Sequence, residues 1–194
     1  MKRAYRQTKR ARATAETTQR IVDAALQLHT TLGPAETTIS AIARQAGVER
    51  LTVYRHFPSD EELFRACAAH GWERFPPPDH EAWARIADPE VRLRTALAEL
   101  YAYYEAVGDA LTVIVRDFSR VPKLAALNAP YFHRWEDMRD VLARGWSRRG
   151  RRRRALLAAI AHSLELSTWE SLVRGQALPA ADAVDLLVGL VRCA

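Results

Sequence analysis

Two cysteines in 194 residues, Cys67 and Cys193, cannot form a disulfide framework and fit a reducing compartment. Long apolar runs are missing as well. Residues 110–115, interrupted by Thr112, and residues 186–191 fall far short of the roughly 20 needed to cross a bilayer. The N-terminus is basic, yet no apolar segment of the signal-peptide kind follows it, so a cytoplasmic protein with no membrane partner is expected. Catalytic signatures are equally scarce: there is no His-Glu-x-x-His, glycine-rich phosphate loop, Cys-x-x-Cys or Gly-x-Ser-x-Gly. The histidines at 29, 56, 70, 80, 133 and 162 show no metal-ligand spacing. No enzyme activity, metal or cofactor is expected. Strand alternation and internal repeats are also absent, and helical periodicity dominates, which predicts an all-α chain.

What is present is an uneven distribution of charge. The chain has 29 Lys and Arg against 23 Asp and Glu, a formal +6 with a pI near 9.7. Residues 1–56 carry ten basic and four acidic side chains, so the entire excess lies there and residues 57–194 balance. Positive charge concentrated in one segment is the electrostatic footprint of phosphate binding.

That segment contains a two-helix motif. Ile39, Ile42, Ala43 and Ala46 recur at three- and four-residue spacing and line one face of a first helix. Thr38 is suited to its N-cap, and Gly47 follows the last apolar position, where positive φ costs little. Val48 and Val53 bury a second helix against the first, leaving Arg50, Leu51, Thr52, Tyr54, Arg55 and His56 for an outward face. This spacing is that of a helix-turn-helix. The pattern Thr38-Ile39-x-x-Ile42-Ala43-x-x-Ala46-Gly47-Val48, then Thr52-x-Tyr54-x-His56-Phe57 and Ser59-x-x-x-Leu63-Phe64, resembles the N-terminal domain of the TetR family of transcriptional regulators. The resemblance covers residues 17–66.

Read along its length, the chain divides into a basic disordered arm (1–13), a helix-turn-helix DNA-binding domain (14–58), a connecting helix (59–75) and a C-terminal domain (76–194). The first helix is expected over 14–31, with Ile21, Ala24, Ala25 and Leu28 on one face, stopped by Gly33-Pro34. Ser59 to Glu62 reads as a capping box, and Pro76-Pro77-Pro78 ends the helix it starts. Asp88-Pro89-Glu90 opens another helix with a stripe from Leu93 to Val107. Further helices are expected over 109–118, 129–147, 152–174 and 179–192.

The resemblance implies that the second motif helix enters the major groove of a double-stranded operator. By position, Thr38, Arg44, Arg50, Leu51, Thr52, Tyr54 and His56 are the candidate DNA contacts. Arg50 offers a fork for guanine or phosphate, and Thr38 a hydroxyl at a helix N-terminus. Tyr54 and His56 seat the helix on phosphates or, alternatively, brace it. Three positions depart from the family pattern: Glu49 where serine or threonine is common, Leu51 where a small residue is common, and Asp60 where lysine is common.

The resemblance also implies a helical C-terminal domain that binds a small-molecule effector and forms a homodimer. Candidate pocket residues are Tyr101, Tyr104, Phe118, Trp135, His162, Glu165 and Trp169, although aromatics at helical spacing equally fill a bundle core. Leu157, Ile160, Ala161, Leu164, Thr168 and Leu172, with Val184, Leu187, Val188 and Val191, form two apolar stripes on the last two helices and suggest the dimer surface, the alternative being internal packing. The arginine run from 148 to 154 reads as a solvated connection, poorly suited to the start of the helix that follows. The expectation is a TetR-like repressor released from a palindromic operator by a ligand. The alternatives are an activator, or a DNA-binding regulator that is constitutive or controlled by a protein partner.

Overall fold

The computed structural model describes residues 2–118, 120 and 129–194, without the side chains of 2–8 and 129–133. Among the described residues every regular element is helical: α1 (Lys2–Thr31), α2 (Ile39–Ala46), α3 (Arg50–His56), α4 (Asp60–Arg74), α5 (His80–Trp83), α6 (Pro89–Phe118), α7 (Ala129–Leu142), α8 (Gly150–Leu164), α9 (Leu166–Trp169) and α10 (Ala180–Cys193). A π-helical turn, Glu170–Gly175, follows α9. No helix among the described residues is long and apolar enough to cross a membrane.

Two compact units result: Met1–Pro76 with Asp109–Leu127, and Pro77–Gly108 with Asn128–Ala194. Residues 109–118 of α6 group with the first unit, so α6 begins in one unit and ends in the other. In the first unit, Ile21, Val22, Ala24 and Ala25 of α1 pack against Ile42, Ala43 and Ala46 of α2, Val53 of α3, Phe57, and Leu63 and Cys67 of α4. The alanines let α1 and α2 approach closely, while each large side chain buried contributes roughly 1.5–3 kcal/mol.

The basic arm is helical rather than disordered, because α1 starts at Lys2. Residues 2–13 lack a packing face, but Ala, Arg, Lys and Gln are strong helix formers. Once the packed part of α1 supplies the nucleus, each added residue gains a hydrogen bond without a new nucleation cost. An i,i+4 pair between Arg12 and Glu16 at 3.0 Å supports the extension.

In the second unit, α6 runs unbroken through Gly108, where a helix boundary was expected. A mid-helix glycine costs about 1 kcal/mol relative to alanine. Here it is required by packing, since a Cβ on Gly108 would sit 2.7 Å from Cζ3 of Trp169. Conversely, the single helix expected over 152–174 is interrupted at Glu165, whose backbone is extended (φ −67°, ψ 136°). The interruption frees carbonyls that side chains then satisfy. Tyr104 Oη donates to Leu164 O at 2.6 Å, Tyr101 Oη to Ser163 O at 3.4 Å, and Thr168 Oγ1 to His162 O at 2.6 Å.

The stripes assigned to association largely face inward. Ile160, Leu164, Thr168, Val184, Leu187, Val188 and Val191 are buried within the protomer, where α8 and α10 pack on each other, and Leu157, Ala161 and Leu172 are half-buried. The exposed apolar side chains of α10 are Leu186 and Leu190.

His29 ties α1 to α4: its ring lies 5.8 Å from that of Phe64, and its Nδ1 is 3.4 Å from Cys67 Sγ. Burial pushes its pKa down from 6.5 to about 4 and raises that of the Cys67 thiol to about 12. As pH falls below 6.5, the unfolded chain takes up a proton at this position that the folded chain refuses. Stability is then lost down to the folded pKa, by up to about 3 kcal/mol. Urea unfolding of the wild type and His29→Gln should show this: the wild type should lose more stability than the variant between pH 6.5 and 4. Parallel losses would show that His29 does not carry the effect.

Candidate nucleic-acid interface

The motif is assembled by its caps. Thr38, in extended geometry, accepts a bond from Ala41 N at 3.1 Å and starts α2. Gly47 (φ 64°, ψ 42°) ends it in the left-handed region, and Val48 N reaches back to Ala43 O at 3.0 Å. The geometry demands glycine for its φ rather than for space, since the nearest atom to an added Cβ, Arg20 Nη1, is 3.9 Å away. α3 then begins after Glu49, whose side chain makes no capping bond, and ends at the buried Phe57.

Fully buried Val53 anchors α3 and turns the opposite face outward. On that face Leu51 is 72% exposed, so it is available to a partner rather than to the core. Arg50 Nη2 donates to Tyr54 Oη at 3.2 Å, and its guanidinium carbon lies 5.5 Å from the ring centroid. That hydrogen bond, helped by electrostatic attraction to Tyr54, raises the Arg50 pKa further, so the group is permanently charged. Arg55 Nη2 donates to Thr52 Oγ1 at 3.0 Å. Thr38 and Arg44 are exposed at opposite ends of α2, and Arg20 of α1 is also exposed.

His56 is placed differently from its neighbours. It is half-buried, with Nδ1 2.8 Å from Thr18 Oγ1 on α1. The Thr18 hydroxyl also lies 3.0 Å from Thr14 O. When its proton goes to that carbonyl, its oxygen is left to accept from the imidazole N–H. His56 thus links α3 to α1 through Thr18, a contact that fits the bracing alternative its motif position left open. Asp60 also has a local explanation: with Glu61 and Glu62 it forms an acidic first turn of α4, behind the Ser59 cap, where negative charge suits the helix dipole.

One group that sequence pattern did not single out underlies the motif. Asp117, at the end of α6, is fully buried and accepts from Ala35 N at 2.9 Å, Arg116 Nε at 3.0 Å and Arg120 Nη1 at 3.4 Å. Desolvation would raise its pKa, but these bonds and the charge of Arg116 outweigh it and hold the carboxyl below its ordinary range. Arg116 Nη2 also donates to Leu32 O at 3.0 Å, and Arg120 Nη2 to Glu36 at 3.1 Å. The turn between α1 and α2 is thus gripped from one side. No local signal could have revealed this, because the partners are more than eighty residues apart.

Of the candidate pocket residues, the structure brings four together. Tyr104 lies at the centre, its ring 6.2 Å from Tyr101, 6.3 Å from Trp135 and 5.8 Å from Trp169. Tyr101, Tyr104 and Trp169 are fully buried, and burial raises the pKa of both tyrosines. Phe118 groups instead with the first unit. His162 and Glu165 are exposed, His162 on the outer face of α8 and Glu165 at the break that ends it. Within the cluster, the buried Trp169 Nε1–H has no hydrogen-bond partner among the described residues.

Residues 21–67 match the family described as bacterial regulatory proteins, tetR family. The HTH-type transcriptional regulator SrpR of Pseudomonas putida is 46% identical over 54 residues, 28% of this chain and 25% of that protein. The match therefore spans a quarter of the relative's own length. A TetR-like transcriptional regulator from Rhodococcus sp. RHA1 superposes with a TM-score of 0.61 at 23% identity, over 90% of this chain and 93% of its own. AibR, solved in complex with isovaleryl coenzyme A and operator DNA, superposes with a TM-score of 0.65 at 16% identity, over 90% and 97%. At such identities these likenesses speak for the fold, and they extend it well beyond the motif. The helix-turn-helix, its family match over residues 21–67 and the fold shared over most of the chain together support a tetR-family transcriptional regulator.

Proposed function

We propose that this protein is a DNA-binding transcription regulator that acts as a homodimer, inserts α3 into the major groove at each half of a palindromic operator, and represses until a small molecule releases it. The observation that carries the reading is the outward face of α3. A charged, aromatic and apolar set, Arg50, Tyr54, Thr52 and Leu51, is presented on a helix fixed from behind by Val53 and His56. Arg50 reads a base edge, Leu51 meets a thymine methyl, and Thr38, Arg44 and Tyr54 hold phosphates. A dimer is needed because one short motif reads too few base pairs, and two half-sites multiply specificity.

The effector site is assigned to the aromatic cluster of the second unit. The family likeness to AibR supports a ligand-responsive regulator, and the orphaned Trp169 N–H supplies a donor for a ligand acceptor. Closed packing around Tyr104 favours the second reading, a regulator with no small-molecule ligand. Coupling is assigned to Asp117: a ligand that shifts α6 pulls on the α1–α2 turn and changes the population of the DNA-competent state.

Selection from a random duplex library by the purified protein should enrich an inverted repeat. Arg50→Ala should then weaken binding by about 1–3 kcal/mol and relax one or two positions, with thermal stability unchanged. A uniform loss across all sequences would make Arg50 a phosphate contact. His56→Ala should instead lower stability by about 1 kcal/mol through the lost bond to Thr18. If neither variant nor wild type enriches a sequence, operator recognition is wrong.

Asp117→Asn leaves two half-exposed arginines that water can serve, so its cost should be about 1–3 kcal/mol. Its signature is local: amide hydrogen exchange at Ala35 should accelerate well beyond that of the α2 core. Exchange unchanged at Ala35 would remove Asp117 from the coupling route.

A further inference from the structure

The arginine run has no place in the reading above, and the structure gives it a setting. Before α8 lies an open cleft of about 640 Å³ lined by Trp146, Ser147, Arg148, Arg149 and Arg152. That is the size range of small-molecule sites. Arg151, Arg153 and Arg154 follow on the same helix and are exposed. Among the described residues, none of these six arginines is paired with a carboxylate. Arg148 is held in place instead by donating to Arg192 O, near the end of α10, at 3.2 Å.

The arrangement is electrostatically unfavourable as it stands. α8 has no acidic residue in its first turn, and its N-cap, Arg149, makes no side-chain capping bond. Cations therefore gather at the positive end of a helix dipole, where an anion would be stabilised. Gly150, the first residue of α8, also faces open space: its φ is +57°, and an added Cβ would meet no atom within 4 Å. Trp146 is half-buried and uses its N–H internally, donating to Leu142 O at 3.1 Å. What it offers to the cleft is aromatic surface rather than a donor.

We propose that this cleft binds an organic polyphosphate with a planar ring, the ring against Trp146 and the phosphates on Arg148, Arg149 and Arg152. Guanidinium forks match phosphate oxygens in bidentate geometry, and three together neutralise a charge that a single arginine could not. A long duplex is disfavoured as the occupant by the aromatic wall, which a phosphate backbone does not use.

The test is isothermal titration of the full-length protein with ATP, inorganic tripolyphosphate and adenosine at low salt. ATP should bind, tripolyphosphate should bind more weakly, and adenosine should not bind. Arg149→Gln with Arg152→Gln, both exposed positions, should weaken ATP by at least about tenfold while the thermal midpoint stays unchanged. Failure of ATP to bind at millimolar concentration, or binding indifferent to the double substitution, would overturn the site. Equal affinities for ATP and tripolyphosphate would overturn the role given to Trp146. If the double substitution instead reduces affinity for a random duplex and ATP does not compete, the cleft is a nucleic-acid surface and the small-ligand assignment falls.

Discussion

A buried carboxylate is the constraint on which the geometry of the first unit depends. Asp117 is fully removed from water, and such a charge persists only where donors replace its hydration shell. Three do so, and one of them, Ala35 N, belongs to the turn that leads into α2. Gly33 completes the fit. Its φ is +98°, and a Cβ there would clash with Asp117 Oδ2, so the turn closes over the carboxylate only because no side chain intervenes. Through this contact the end of α6 braces the turn that leads into α2. The helix-turn-helix is thus a local motif, packed on α1 and α4, whose leading turn is also held by a residue far along the chain.

That division explains what could be read from the sequence. Thr38, Gly47 and Val53 act through bonds and packing within a few residues, so spacing alone revealed the two helices, their turn and the outward face. His56 shows where such reading stops: its motif position left bracing and phosphate contact open, and only the 2.8 Å approach of Thr18 favours the brace. Asp117 was invisible for the same reason, being defined by partners it meets only in three dimensions. The basic N-terminal residues follow a different rule, because the helix there needs only continuity with α1 rather than a packing face of its own.

In the second unit the aromatic residues were recognised, but their connections were not. A shared helix turn placed His162 and Glu165 on one inward face, whereas α8 presents His162 outward and Glu165 lies exposed at the break that ends the helix. The break is stabilised by the very tyrosines that seemed to be pocket walls, since Tyr101 and Tyr104 satisfy its exposed carbonyls. Opening a cavity here would therefore disturb more than hydrophobic contact: it would unmake hydrogen bonds that hold the α8–α9 junction. The π-helical turn after Trp169 and the close approach of that ring to Gly108 put irregular backbone and tight packing beside the one orphaned donor of the cluster. Irregularity of this kind often accompanies a site with two packings rather than one.

α3 shows how the two demands on a recognition element are reconciled. Its seven residues are too few to form a stable helix alone, so its order is supplied from outside. Val53 and Phe57 bury one side, and His56 ties the last turn to α1. Among the described residues the outward side makes only local contacts, Arg50 with Tyr54 and Arg55 with Thr52, each within a single turn and exposed to water. Such pairs cost little to break, because water replaces them at once. They nevertheless restrict long side chains before any partner arrives, which reduces the entropy lost on contact. The inner face is built to stay fixed and the outer face to exchange partners, and this asymmetry, rather than the presence of basic residues alone, suits α3 to the reading role proposed for it.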